Sequence, residues 1–224
     1  MMKPEVELKV KSTTLFALAL FVMLGMATAQ VFASNLLNNG SFQTGDFRNW
    51  SLDTTANGTA GIGFPIVTVW PLGGSNAAQY EVGQVSFISG DFEGAMLLQG
   101  FVTSDGTLDL AFNWAAMGAG RSNADAGLFQ LVLDGAVLNS FDVGHIGPTD
   151  LLHGTLTSTA SVTAGVHLFE IDILRPFQSG QGTTPYQFVT GAFVREVSEP
   201  SSLLLLGSAI VGMAVVLCHG KTTG

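Results

Sequence analysis

Strict alternation of apolar and polar positions runs through the middle of the chain. In Thr107-Leu-Asp-Leu-Ala-Phe-Asn-Trp114 the period of two puts Leu108, Leu110, Phe112 and Trp114 on one face. Val166–Ile173 repeats the pattern, with Phe169, Ile171 and Ile173 on one side and Glu170 and Asp172 on the other. Leu128–Leu133, Asp134-Gly135 and Ala136–Leu138 read as two strands joined by a tight hairpin, because Asp-Gly accepts the left-handed backbone of a two-residue turn. Further strands are expected over Ile62–Trp70, Gln79–Phe87, Met96–Thr103, Leu156–Val162 and Tyr186–Val197. No stretch of this body keeps a 3.6-residue period, and Gly, Asn, Asp and Ser separate the runs. The fold class that follows is all-β: an antiparallel β-sandwich of jelly-roll type.

The two ends break the pattern with continuous apolar runs. Leu15–Met26 is a 12-residue uncharged stretch behind Lys3, Lys9 and Lys11, followed by small residues at Ala27, Ala29 and Ala33. Twelve residues are too few to span a hydrocarbon core of about 30 Å but suit the apolar part of a signal peptide. Residues 1–33 are therefore expected to be a signal peptide cut after Ala33, leaving a domain at 34–197. Leu203–Cys218 is a second uncharged run, of 16 residues, with Lys221 beyond it. At about 1.5 Å per residue it reaches roughly 24 Å, and it is read as a C-terminal transmembrane helix.

Composition sharpens this reading. Charged residues make up 11% of the 224, less than half the roughly 25% usual in soluble domains. Lys and Arg total 8 against 17 Asp and Glu, which argues against nucleic acid as a partner. Lysine is confined to the ends. The 34–197 body carries 4 Arg, no Lys and 14 acids, a net charge of −10, so a glycan ligand is expected to be neutral or bridged by cations. The single cysteine, Cys218, lies in the tail, so no disulfide can staple the domain.

Two stretches carry family resemblances. Ser198-Glu199-Pro200-Ser201-Ser202, followed by the Leu-rich, Gly-punctuated span and a short polar end, resembles the PEP-CTERM sorting signal of exported Gram-negative proteins. Ser198 stands where that family usually has Pro, and His219 and Lys221 replace its terminal arginines. The resemblance implies an exosortase-type processing enzyme as partner, transient anchoring in the inner membrane, and export to the periplasm, cell envelope or exterior. A GPI signal fits less well, although Asn39, Asn49 and Asn57 are glycosylation sequons, because such a signal normally ends apolar.

The second stretch, Asn35-Leu-Leu-Asn-Asn-Gly-Ser-Phe-Gln-Thr-Gly-Asp-Phe-Arg-Asn-Trp50, resembles the opening strand of galactose-binding-like, carbohydrate-binding jelly rolls. Asn39-Gly40 and Gly45-Asp46 read as turns, and Phe42 and Trp50 as core plugs. The resemblance implies a structural calcium held by an acid at position 43 and another near the last strand. Here Gln43 and Thr190-Gly191 occupy those places, so a calcium is not expected.

Candidate chemistry is sparse. There is no nucleophile-elbow motif, and Gly61-Ile-Gly63 and Gly118-Ala-Gly120 read as turns rather than phosphate loops. His145, His153 and His167 lack metal-ligand spacing, and His145 and His153 flank Asp150 in a loop. The pairs Asp91/Glu93 and Glu170/Asp172 could in principle serve a glycosidase, but a solvated sheet face accounts for both. No catalytic or metal residues are therefore assigned. Trp70, Tyr80 and Tyr186 are the candidate glycan-stacking aromatics, with core packing the competing reading for Trp70, while Trp50 and Trp114 read as core. The expected function is non-enzymatic association of an exported protein with extracellular polysaccharide, against a glycan hydrolase or a purely structural matrix component.

Overall fold

The computed structural model describes residues 34–87, 91–177 and 184–197. The expected signal peptide, the Ser198–Ser202 stretch that resembles a sorting signal and the expected 203–218 span lie outside them. Among the described residues there is no helix, and the strands in chain order are β1 (Ser51–Thr54), β2 (Gly58–Thr59), β3 (Ile66–Val69), β4 (Asn76–Tyr80), β5 (Gly83–Gln84), β6 (Glu93–Thr103), β7 (Gly106–Met117), β8 (Leu128–Leu133), β9 (Ala136–Asp142), β10 (Leu151–Val162), β11 (Gly165–Arg175) and β12 (Tyr186–Glu196). One five-stranded sheet runs β1-β6-β11-β8-β9 and a second β10-β7-β12-β4-β3, while β2 and β5 form a short ribbon. Every pairing is antiparallel. From β9 onward successive strands alternate between the two sheets, which is how a sandwich of jelly-roll type buries one face of each.

The alternating runs bury the residues expected of them. Leu108, Leu110, Phe112 and Trp114 of β7 meet Phe169, Ile171 and Ile173 of β11 in one core, each at most 4% exposed. Trp114 lies between Phe129 and Phe141, at ring-centroid distances of 5.2 and 4.7 Å. The Asp134-Gly135 hairpin forms with both residues at positive φ, 52° and 77°. Phe42 and Trp50 are core residues, with rings 5.9 Å apart.

Three expectations are corrected. Residues 62–65 are not strand: the Phe64 amide bonds back to the Gly61 carbonyl, Ile62 is wholly exposed, and β3 begins only at Ile66. The expected Gln79–Phe87 strand stops at Tyr80, because the next amides leave the ladder. Glu81 N–H bonds the Ala60 carbonyl, and Val82 N–H bonds the side chain of Gln187. The opening segment is a chain of turns instead of a strand. Asn39, Phe42 and Asn49 adopt positive φ, and turn bonds join Phe42 to Asn39, Gly45 to Phe42 and Trp50 to Phe47. The strand lies beyond it, at β1, an exposed edge strand with no apolar alternation to announce it.

Polar residues also bind the interior. Arg175, 3% exposed, donates to the carbonyls of Asp125 (2.9 Å) and Val82 (3.2 Å) and to Oδ1 of Asn123 (3.5 Å). Gln187, fully buried, takes the Val82 amide and donates to the Ala126 carbonyl at 2.8 Å. Satisfied in this way, these groups avoid the desolvation cost of buried unpaired polar atoms.

The turn chain predicts a contrast between two glycines. A Cβ on Gly40 would sit 2.0 Å from the Ala192 carbonyl oxygen, whereas one on Gly45 meets nothing within 4 Å and suffers only its positive φ of 76°. Gly40→Ala should cost about 2 kcal/mol or more and Gly45→Ala only about 1 kcal/mol in denaturant unfolding. Equal losses would show that the approach of Gly40 to β12 is not close-packed.

Candidate functional site

The turn chain and the last strand meet to form a groove. In β12 the register shifts between Thr190 and Phe193, where Gly191 takes φ 63°. Beyond that bulge the strand leaves β4, and residues 35–41 pair with it instead. Leu36 N–H bonds the Val194 carbonyl (2.8 Å) and Ala192 N–H the Gly40 carbonyl (2.9 Å). The Asn35 amide completes the seam: Oδ1 accepts from Val194 N–H and Nδ2 donates to the Ala192 carbonyl, both at 3.0 Å. Gln99, reaching from β6, holds Asn38 through both of its backbone groups.

The loop above is held by other amides. Asn39 Nδ2 donates to the Asp46 carbonyl (2.9 Å), its Oδ1 accepts from Thr44 N–H, and its carbonyl takes the Trp50 indole N–H at 3.1 Å. Asn76 Nδ2 donates to the Phe42 carbonyl (3.0 Å), and the Thr190 hydroxyl donates to the Asn76 carbonyl (2.6 Å). What remains is an open groove of about 690 Å³, lined among others by Asn38, Ser41, Gln43, Asn49, Phe193 and Arg195. Ligand sites usually span roughly 300–1,000 Å³. No carboxylate lines it. Among the described residues, the side chains of Asn38, Ser41, Gln43 and Asn49 make no hydrogen bond. The guanidinium of Arg195 lies 3.9 Å over the Phe193 ring. Nearby Asp46 is held below the usual carboxylate range by the Thr44 hydroxyl first, then by the Arg48 amide and guanidinium.

This is also where the sequence resemblance implies a structural calcium, and the donors do not fit one. Gln43 is neutral, and the Phe42 and Asn76 carbonyls already accept the Asn76 amide and Thr190 hydroxyl. Calcium needs six to eight oxygens, preferably some of them charged.

None of the three candidate stacking aromatics lines the groove. Trp70 is 8% exposed and covers Ala77, Ala115 and Phe188 on the outer face of the second sheet, where its backbone also closes the 70–75 turn. That burial corrects the stacking assignment and agrees with core packing. Tyr80 is corrected too: at 1% exposure it is a core residue, and burial pushes its phenol far above the usual value. Tyr186 is half-buried between Phe64 and Phe188, at ring distances of 6.2 and 6.5 Å. Sequence reasoning missed Phe193 and Arg195 because a β-bulge, invisible to a period-two pattern, aims them.

The remaining titratable residues lie elsewhere. Glu170 and Asp172 occupy the outer face of the first sheet, but the pair is not solvated as expected. Both are half-buried, and burial, then the hydrogen bond and charge of Glu170, push Asp172 up to about 8. The reason is its central strand: β6 and β8 flank it, with Met96 and Gln130 opposite Asp172. His167, near the start of β11 and opposite Phe101, has its ring bonded to Asp134 Oδ2 (2.7 Å) and the Thr163 carbonyl (2.9 Å), and these bonds raise its pKa. Asp150 closes its own loop by accepting Gly147 N–H at 2.8 Å. No cluster of three or more metal-ligating side chains occurs among the described residues.

No family model and no curated protein matches the chain. Its fold is similar to that of solved carbohydrate-binding modules. TmCBM61, solved in complex with beta-1,4-galactotriose, is 14% identical over 74% of this chain and 100% of its own, with a TM-score of 0.44. The CBM22-1 xylan-binding domain of Paenibacillus barcinonensis Xyn10C is 12% identical over 76% and 99%, with a TM-score of 0.42. A CBM4 structure is 15% identical over 71% and 99%, with a TM-score of 0.37.

The shifted groups give stability a definite pH slope. Burial raises Asp172, Asp125 and Glu81 from their ordinary values, and the bond to Asp134 raises His167 above 6.5. In every one of these cases the folded state holds its proton more tightly than the unfolded chain, so stability is lost as pH rises, for Asp172 between 3.8 and about 8. The melting temperature should fall from about pH 5 to about pH 8, and Asp172→Asn should flatten most of that fall. A profile that rises over the window, or one untouched by Asp172→Asn, would contradict this account.

Proposed function

We propose that this is an exported, non-enzymatic protein that associates with extracellular polysaccharide through the groove between residues 38–49 and β12. The observation that carries the reading is the division of labour among its amides. Asn35, Asn39, Asn76 and Gln99 are spent building the groove, while Asn38, Ser41, Gln43 and Asn49 present unused donors and acceptors to it. Amides and hydroxyls can both give and accept hydrogen bonds, which is what a polyhydroxyl ligand requires. The basic, apolar N-terminus and the Glu199-Pro200-containing tail support export and processing by an exosortase-type enzyme, with passing attachment to the inner membrane.

One observation favours the hydrolase reading: an acid such as Asp172, protonated near neutral pH, is what a glycosidase uses to protonate its leaving group. Glu170 and Asp172 do not line the groove, however. The non-enzymatic reading is the better supported.

Binding of the full-length chain to a panel of soluble and insoluble polysaccharides tests the groove. Gln43→Ala with Asn49→Gly should weaken retention about tenfold with little change in melting temperature, since both side chains are exposed and glycine accepts the positive φ of Asn49. Undiminished binding by that double variant removes the groove from the mechanism, and release of reducing sugar would make the protein an enzyme. Sorting is tested by mass spectrometry of the chain recovered from the cell envelope. Peptides should end before Leu203, and intact peptides through Gly224 would refute processing.

A further inference from the structure

We propose that the groove selects a glycan bearing carboxylate groups, with Arg195 as the residue that reads the charge. The inference rests on the polysaccharide reading above and names the ligand class. It also reverses the expectation of a neutral ligand, which came from the domain's net charge.

The domain has four arginines, and three are placed outside the groove lining. Arg48 pairs with Asp46 at 3.4 Å, Arg175 is buried and bonded to the chain interior, and Arg121 is exposed on another loop. Arg195 is the one charged side chain among those lining the groove. It makes no ion pair among the described residues. Asp109 stands opposite it across the β7–β12 ladder, yet the guanidinium lies on the Phe193 ring.

That contact seats the guanidinium beside the groove while leaving its N–H donors for a ligand. A flat fork of N–H donors matches the two oxygens of a carboxylate, and cation–π contact holds it without consuming those donors. Asn38, Gln43 and Asn49 then supply neutral partners for the ring hydroxyls. The net charge of the domain does not oppose this at close range. At physiological salt, fields decay over about 8 Å, so the dispersed acids act on approach, whereas a contact at hydrogen-bond distance is governed by the guanidinium.

The test uses the full-length chain in about 0.15 M salt with EDTA present, which removes cation bridging. Calorimetry compares polygalacturonate with the same polymer methyl-esterified, so that charge changes while the sugar backbone does not. The acid form should bind at least about tenfold more tightly than the ester. Arg195→Gln should bring the acid form down to the affinity of the ester, and Arg195→Lys should recover only part of the difference. Asp109→Asn, which removes the facing negative charge, should tighten binding of the acid form. Equal binding of the two forms, or an Arg195→Gln chain that still prefers the acid, overturns the proposal. If neither form binds while a neutral glycan of the panel does, carboxylate selection is wrong and the polysaccharide reading stands. If no glycan binds at all, both fail.

Discussion

The seam between residues 35–41 and the second half of β12 is the constraint on which the rest of the site depends. It joins positions up to 159 residues apart, through Asn35 with Val194 and Gly40 with Ala192. Each hydrogen bond contributes only about 0.5–1.5 kcal/mol net. Their larger effect is positional. With the segment in place, Phe42 and Trp50 can enter the core, and Asn39 and Asn76 can tie the loop above them. The close approach at Gly40 admits no side chain, so the seam is specified by shape as well as by polarity.

Low charge makes the domain's electrostatics local. Arg175 and Gln187 are buried with their polar groups paired, so they cross-link strands and loops without an orphaned charge. Burial still lowers the Arg175 guanidinium to about 10, and it weighs on Asp172 too, on a central strand whose outer face is crowded by its neighbours. There a carboxyl keeps its proton far above the usual range. Arg195 differs from Asp172 in facing an open groove that no carboxylate lines.

The aromatic residues divide by task in a way that separates stability from recognition. Trp50, Trp114 and Tyr80 fill the interior, and Trp70 seals a second apolar cluster on the outer face of one sheet. The groove has only Phe193, with Arg195 over it. The proposed recognition therefore rests mainly on amides and on one cation. This is a different economy from a flat aromatic platform that stacks on sugar rings.

Much of the fold was legible in the sequence because its cause is local. Side chains of a strand alternate between faces, so Leu108–Trp114 and Phe169–Ile173 declared their inward faces from spacing alone, and Asp134-Gly135 declared its turn. Local rules failed where backbone groups are satisfied from afar. Tyr80 ends its strand because the Ala60 carbonyl and the Gln187 side chain take the next two amides, and the opening segment turns because its partners lie in β12 and β4. The site was hidden for the same reason. Its composition was visible as an Asn-rich stretch, but which amides are spent on the fold and which remain free is decided by the folded loop and by partners as far as 159 residues away. Period and turn chemistry thus determined the sheets. Only the tertiary structure, by closing residues 35–41 onto β12 around a bulge, decided where the groove lies.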